Sequence, residues 1–339
     1  MGRAEWDQIW PSDTSRRLLP YLRNVHDEEI QESLRSWLHE SGMLAAHPQT
    51  VDRHVQDFAA YTSYSYPGAP RDGLLLAAKW MTFFFLFDNE LDDQPVASIP
   101  AETRSLLCDL DKIVSLGTKT QPEPDTWNSP YAQVLDHLWK EAREFYCNPA
   151  WERLFVNLFA RYQRAQRWEL YSKSLGRQWD FTTYTEWKRH GTAGLLGGSF
   201  VALFTRRPLP DELLQGHVLR RMSDMACDVL HLATDINSAA REARFEGVPS
   251  VLTTLLHNGA DITRDEAFRI FLTHLWQPRL NSLLQAAQDL PHLLDAMGQN
   301  TPQNLSDAEN FTEDLLLWTG GHLQWLTYAA RYHHESETT

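Results

Sequence analysis

Apolar residues recur at intervals of three and four along nearly the whole chain. Ile30, Leu34, Trp37 and Leu38 make one stripe, Val51, Val55, Phe58 and Ala59 a second, and Trp151, Leu154, Phe155, Leu158, Phe159 and Tyr162 a third. This spacing lines one face of a helix. Thr263-Arg264-Asp265-Glu266 ahead of Ala267 and Phe268 is the reciprocal capping pattern of a helix start. Strand-like alternation is scarce. The main breaks are Tyr66 to Pro70, Gln121 to Asp125 and Phe245 to Pro249, each short enough to join two helices and none shaped like a domain linker. No repeat of solenoid period is present. The pattern predicts one all-α domain over residues 1–339, a helical bundle with short disordered tails at about 1–10 and at 335–339.

The most apolar stretch, Phe83-Phe84-Phe85-Leu86-Phe87, runs straight into Asp88-Asn89-Glu90-Leu91-Asp92-Asp93. Five consecutive bulky apolar residues leave a helix no polar face, so this segment should be buried all round and its carboxylates should open onto an interior cavity. On a helix Asp88 and Asp92 lie one turn apart, where like charges repel unless a cation joins them. Oxygen ligands suit a hard divalent ion such as magnesium. An ordinary solvated helix end is the other reading. Downstream, Thr234, Ser238 and Glu242 are each one turn apart and form a second oxygen-bearing column. It reads either as the opposite wall of a metal site or as a polar surface stripe.

Composition narrows the choice. Aromatic residues at 12%, with 13 Trp, suit a deep pocket as well as a Trp-rich core. A net charge of -14 argues against nucleic-acid or anionic-membrane partners. Cys108, Cys147 and Cys227 fit neither a disulfide framework nor zinc spacing and read as reduced, buried thiols. The N-terminus lacks the apolar core of a signal peptide, and Lys79 interrupts the Leu74 to Phe87 stretch well short of a membrane span. A soluble cytoplasmic protein is expected.

At this point the sequence resembles the class I terpene cyclases of the bacterial type. Asp88-Asn89-Glu90-Leu91-Asp92 looks like their aspartate-rich motif, with Asn in its second position, and Thr234 to Glu242 looks like their (N/D)DxxSxx(K/R)E metal-binding motif. Tyr184 to Gly194 is similar to the segment bearing the diphosphate-sensing arginine, which implies that role for Arg189, with Thr192 and Ala193 at the linker and effector positions of a helix break. Arg331-Tyr332 looks like the terminal pair that contacts diphosphate. The resemblance extends from about Trp37 to Tyr332 and implies the class I terpenoid synthase bundle around a deep aromatic cavity, in a helical homodimer. Its metal ligands would be Asp88, Asp92, Thr234, Ser238 and Glu242, its cofactor three Mg2+ ions. Thr234 departs from the family's Asn or Asp, and a neutral hydroxyl is a poorer magnesium ligand.

The implied chemistry is ionisation of a linear isoprenyl diphosphate and cyclisation of the resulting cation. Asp88, Arg189, Arg331 and Tyr332 form the implied catalytic set, with Arg241 as a further diphosphate contact and Phe84, Phe85, Trp318 and Trp325 as cavity wall. Aromatic faces attract a cation by about 0.5 to 2 kcal/mol each without attacking it. Farnesyl diphosphate, giving a sesquiterpene, is the first expectation and geranylgeranyl diphosphate the second, with bulky Phe84 and Phe85 favouring the shorter chain. His190 and His231 read as bases or as hydrogen-bonded buried histidines. Three other functions stay open: a chain-elongating prenyl synthase, though that resembles a pattern with two DDxxD motifs; a phosphohydrolase using His26-Asp27, in an expected exposed turn, with His231 and Asp235; and a non-catalytic helical interaction protein.

Overall fold

The computed structural model describes residues 9–10, 19–45, 48, 51–92, 99–115, 127–176, 179–205, 207, 209–242, 250–259 and 262–329, with the side chains of 239–242 outside that set. The Gln121–Asp125 and Phe245–Pro249 breaks, the 335–339 tail, and Arg331 and Tyr332 also lie outside it. Every regular element among the described residues is helical.

In chain order these are α1 (Asp27–Glu40), α2 (Val51–Ser65), α3 (Arg71–Asp92), α4 (Ala101–Ser115), α5 (Pro130–Tyr146), α6 (Pro149–Ser174), α7 (Phe181–Gly191) and α8 (Gly194–Phe204). A single turn, α9 (Asp211–Leu214), leads into the long α10 (His217–Glu242). Then follow α11 (Val251–Asn258), α12 (Arg264–Ile270), α13 (Gln277–Gln288), α14 (Leu290–Ala296) and α15 (Pro302–Leu326).

Their starts follow from sequence. Asn148 accepts from the amides of Ala150 and Trp151 with Pro149 behind it, Asp180 accepts from Thr183 N, and Thr301 accepts from Asn304 N, each satisfying otherwise orphaned first-turn donors. The Thr263–Glu266 capping box forms as the pattern predicts. Beyond it the chain departs from expectation, because Phe271–Trp276 is a π-helical segment. Pro278 has no N–H to return to the carbonyl of His274, so the ladder cannot run through in ordinary register.

The Phe run explains how α3 becomes the central element. Its consecutive rings point to three different neighbours, as 100° per residue requires. Phe83 and Phe87 stack with each other and meet Tyr131 of α5. Phe84 meets Tyr162 of α6 edge-on at 5.6 Å. Phe85 stacks on Phe58 of α2 at 4.9 Å and packs on Trp325 of α15 at 5.7 Å. α15 crosses α2 at close range, and a Cβ built on Gly321 would lie 1.9 Å from the Tyr64 carbonyl oxygen.

Three expectations change. Cys108 and Cys147 are exposed and only Cys227 among the three is buried, because the first two lie on the outward side of α4 and at the C-terminal cap of α5. Asp27 is buried rather than in an exposed turn: it opens α1, pairs with Arg23 and accepts from Ser63 Oγ at 2.6 Å. Ile9 and Trp10, expected in a disordered tail, are buried, and Trp10 donates to Gln324 of α15 at 3.4 Å.

Candidate active site

The C-terminal half of α3 and the C-terminal half of α10 border one cavity, and the residues that line it follow from helical phase. From α3 come Met81, Phe84, Phe85 and Asp88; from α10 come Leu230, His231, Thr234, Asp235 and Ser238. Both series pass from apolar to oxygen-bearing side chains toward the C-terminal end of their own helix. The α7–α8 junction supplies Thr192, Ala193 and Gly194, and α15 adds Trp318 and His322. Ala193 has φ 56°, in the left-handed region, so the helix break at the expected effector position is a strained non-glycine backbone. Trp325 stands behind this wall, fully buried against Tyr61 and Phe85.

The charged groups do not all face inward. Asp92 is turned to α6, where Lys173 Nζ lies 3.1 Å from its Oδ1. Lys173 also lies 3.8 Å from Glu169, which is 3.9 Å from Lys188 of α7, which is 4.0 Å from Asp235 of α10. Carboxylates and ammoniums thus alternate from one acidic column to the other. Burial pushes the Asp235 carboxyl up, opposed by Lys188 and by the hydrogen bond from Val251 N. Burial and then the charge of Asp88 push the Tyr162 hydroxyl well up, so it borders the cavity as a neutral phenol.

Arg189 is held as a fork, donating to both oxygens of Asp228 at 2.5 and 2.7 Å. Burial raises the Asp228 carboxyl, but hydrogen bonds from His231 and Arg189 outweigh it and hold the group well below the usual carboxylate range. The guanidinium therefore meets the cavity indirectly, through Asp228 and the His231 ring 3.4 Å from it.

Lys188, Glu169, Tyr162, Tyr61 and His322 border the cavity without having been singled out from the sequence. Helical phase in the folded chain accounts for Lys188. The buried face of α7 is Tyr184, Lys188 and Gly191, at i, i+4 and i+7, so Lys188 points inward and Arg189 is rotated 100° away. His322 follows Trp318 by one turn on the same logic. Its Nε2 lies 2.9 Å from Thr234 Oγ1, and burial pushes its pKa down to about 3, so it is neutral.

The donor set suits a hard divalent cation: the Asp88 carboxylate and the Thr234 and Ser238 hydroxyls border one space. Ser238 donates its hydrogen to the Asp235 carbonyl at 3.3 Å, so toward the cavity its oxygen can only accept or ligate. The Glu242 and Arg241 side chains, Arg331 and Tyr332 lie outside the described residues.

Among the described residues, then, a helical bundle brings the Asp88 carboxylate and the Thr234 and Ser238 hydroxyls to the border of one aromatic cavity. The chain matches the family described as terpene synthase family 2, C-terminal metal binding, over residues 79–277, more than half its length, and it belongs to that family. It is a class I terpene cyclase that binds divalent metal. It is 26% identical over 343 aligned positions to pristinol synthase of Streptomyces pristinaespiralis, covering 98% of this chain and 89% of that protein. It is 22% identical to 7-epi-alpha-eudesmol synthase ((2E,6E)-farnesyl diphosphate cyclizing) of Streptomyces viridochromogenes, covering 92% and 83%. The fold matches linalool/nerolidol synthase from Streptomyces clavuligerus with a TM-score of 0.79 at 17% identity, over 91% of this chain and 98% of that one. No helix among the described residues is long and apolar enough to cross a membrane.

Proposed function

We propose that the chain, acting as one cyclase domain, converts farnesyl diphosphate to a cyclic sesquiterpene with Mg2+ as its metal. One observation carries this reading: Asp88 on α3 and Thr234 and Ser238 on α10 border the same aromatic cavity. The relative whose name specifies farnesyl diphosphate cyclisation supports the choice of substrate. A cytoplasmic homodimer and three ions, with Glu242 among the ligands and Asp92 joining them on release from Lys173, belong to the same reading.

Bound magnesium supplies positive charge against the departing diphosphate. Asp88, Ser238 and Thr234 would hold the ion. The allylic carbon–oxygen bond breaks with its electron pair leaving on the diphosphate, and Lys188, Arg241, Arg331 and the Tyr332 hydroxyl steady the anion. Arg189 acts on this reading through Asp228 and His231. Phe84, Phe85 and Trp318 exclude water and attract the cation with faces that cannot add to it, with Trp325 bracing them from behind. The proton shed at the end passes to a diphosphate oxygen.

The test is incubation with geranyl, farnesyl and geranylgeranyl diphosphates plus magnesium, with products separated by gas chromatography and mass detection. Farnesyl diphosphate should yield a cyclic fifteen-carbon product, and Asp88→Ala should reduce it at least about 100-fold while the fold persists. Turnover of geranylgeranyl diphosphate alone would overturn the substrate, and an unimpaired Asp88→Ala would overturn the site.

A further inference from the structure

Thr234 is the weak member of its column, and the structure gives it a partner that the family pattern does not specify. His322 reaches across from α15 and brings Nε2 to 2.9 Å from Thr234 Oγ1. The ring is fixed by edge-on contacts with Tyr61 at 5.3 Å and Trp325 at 5.8 Å. Its other nitrogen, Nδ1, is buried with no hydrogen-bond partner among the described residues. The pair therefore joins one hydroxyl and one ring nitrogen at the boundary between polar and aromatic parts of the cavity.

A hydroxyl that ligates a cation must turn its hydrogen away from the metal, and ligation makes that hydrogen a stronger donor. Nε2 is an acceptor at hydrogen-bond distance for it when Nδ1 carries the ring proton. Accepting this hydrogen bond aims the oxygen lone pairs at the cavity and raises the oxygen's basicity, with no proton transferred. Outer partners of this kind change metal affinity about 10- to 100-fold. We infer that His322 is a positioning residue that makes Thr234 an effective metal ligand in place of a carboxamide or carboxylate. The inference rests on the proposed role of Thr234 in metal binding. Its consequence is conditional: His322 matters because residue 234 is Thr, and an Asn there, ligating through its carbonyl, would not need it.

The experiment is a titration of the full chain with Mn2+ and inorganic pyrophosphate, free Mn2+ being read by electron paramagnetic resonance. His322→Leu and Thr234→Ala should each weaken one class of bound Mn2+ about 10- to 100-fold, and the double variant should be no weaker than either single one. His322→Gln, whose carbonyl oxygen can take the place of Nε2, should keep most of the affinity. Thr234→Asn combined with His322→Leu should restore it. Wild-type affinity in His322→Leu, multiplying losses in the double variant, or no effect of Thr234→Ala would each overturn the inference. If His322→Leu does not fold, a folded His322→Gln that loses the site overturns it equally. Asp88→Ala separates the two readings: should it bind Mn2+ as the wild type does, the proposed site fails, whatever His322 does.

Discussion

Asp314 on α15 shows how burial sets the behaviour of a single group. Its carboxyl is pushed up to about 6 by burial, against the pull of Arg207 3.3 Å away. A raised acid pKa means that the folded chain holds a proton that the unfolded chain has released. The associated stability is present below about pH 4 and is lost as pH rises through 6. Asp314→Asn should therefore match the wild type near pH 4 and exceed it at pH 7 by roughly 1–2 kcal/mol after solvent screening. Thermal unfolding at the two pH values decides this, and an offset that does not change with pH would mean the carboxyl titrates normally. At this scale the sequence was readable where one helix dictates direction: Asp88 follows from the phase of α3 and Thr234 and Ser238 from that of α10, whereas Phe84 and Phe85 were singled out by the family resemblance. It was not readable where two helices meet. Lys188 and Arg189 are adjacent cations, and which faces the cavity depends on how α7 is rotated against α6 and α10. The hydrogen-bond partner of His322 is remote in sequence, since Thr234 lies 88 residues away.

Elements obey the same division. Stripes and caps are local, so the helices and the Thr263 capping box could be read directly. The π-helical Phe271–Trp276 could not, because a Pro at 278 permits a kink, a break or a widened turn, and packing chooses among them. The α2–α15 crossing is likewise set by what is missing from a side chain. Gly321 lets the Tyr64 carbonyl approach so closely that a methyl would overlap backbone, which cannot rotate away. Gly321→Ala should destabilise the chain by roughly 1–3 kcal/mol or more. Denaturant unfolding would measure the loss, and a neutral result would mean that the two helices slide apart at little cost.

For the molecule as a whole, the two columns and the anion contacts should act together. Magnesium or pyrophosphate alone should raise the melting temperature little, and the two together by several degrees, since ligand at 100 times its Kd adds about 2.7 kcal/mol. Additive shifts from the separate components would argue against a shared site. The alternation of Asp92, Lys173, Glu169, Lys188 and Asp235 adds a consequence of a different kind. Facing carboxylates would ordinarily push apart in a metal-free chain, yet here the chain carries its own counter-ions, anchored on α6 and α7 between the two acidic helices. Folding should thereby be uncoupled from metal supply, so that a chelator strips the enzyme of activity without opening its structure.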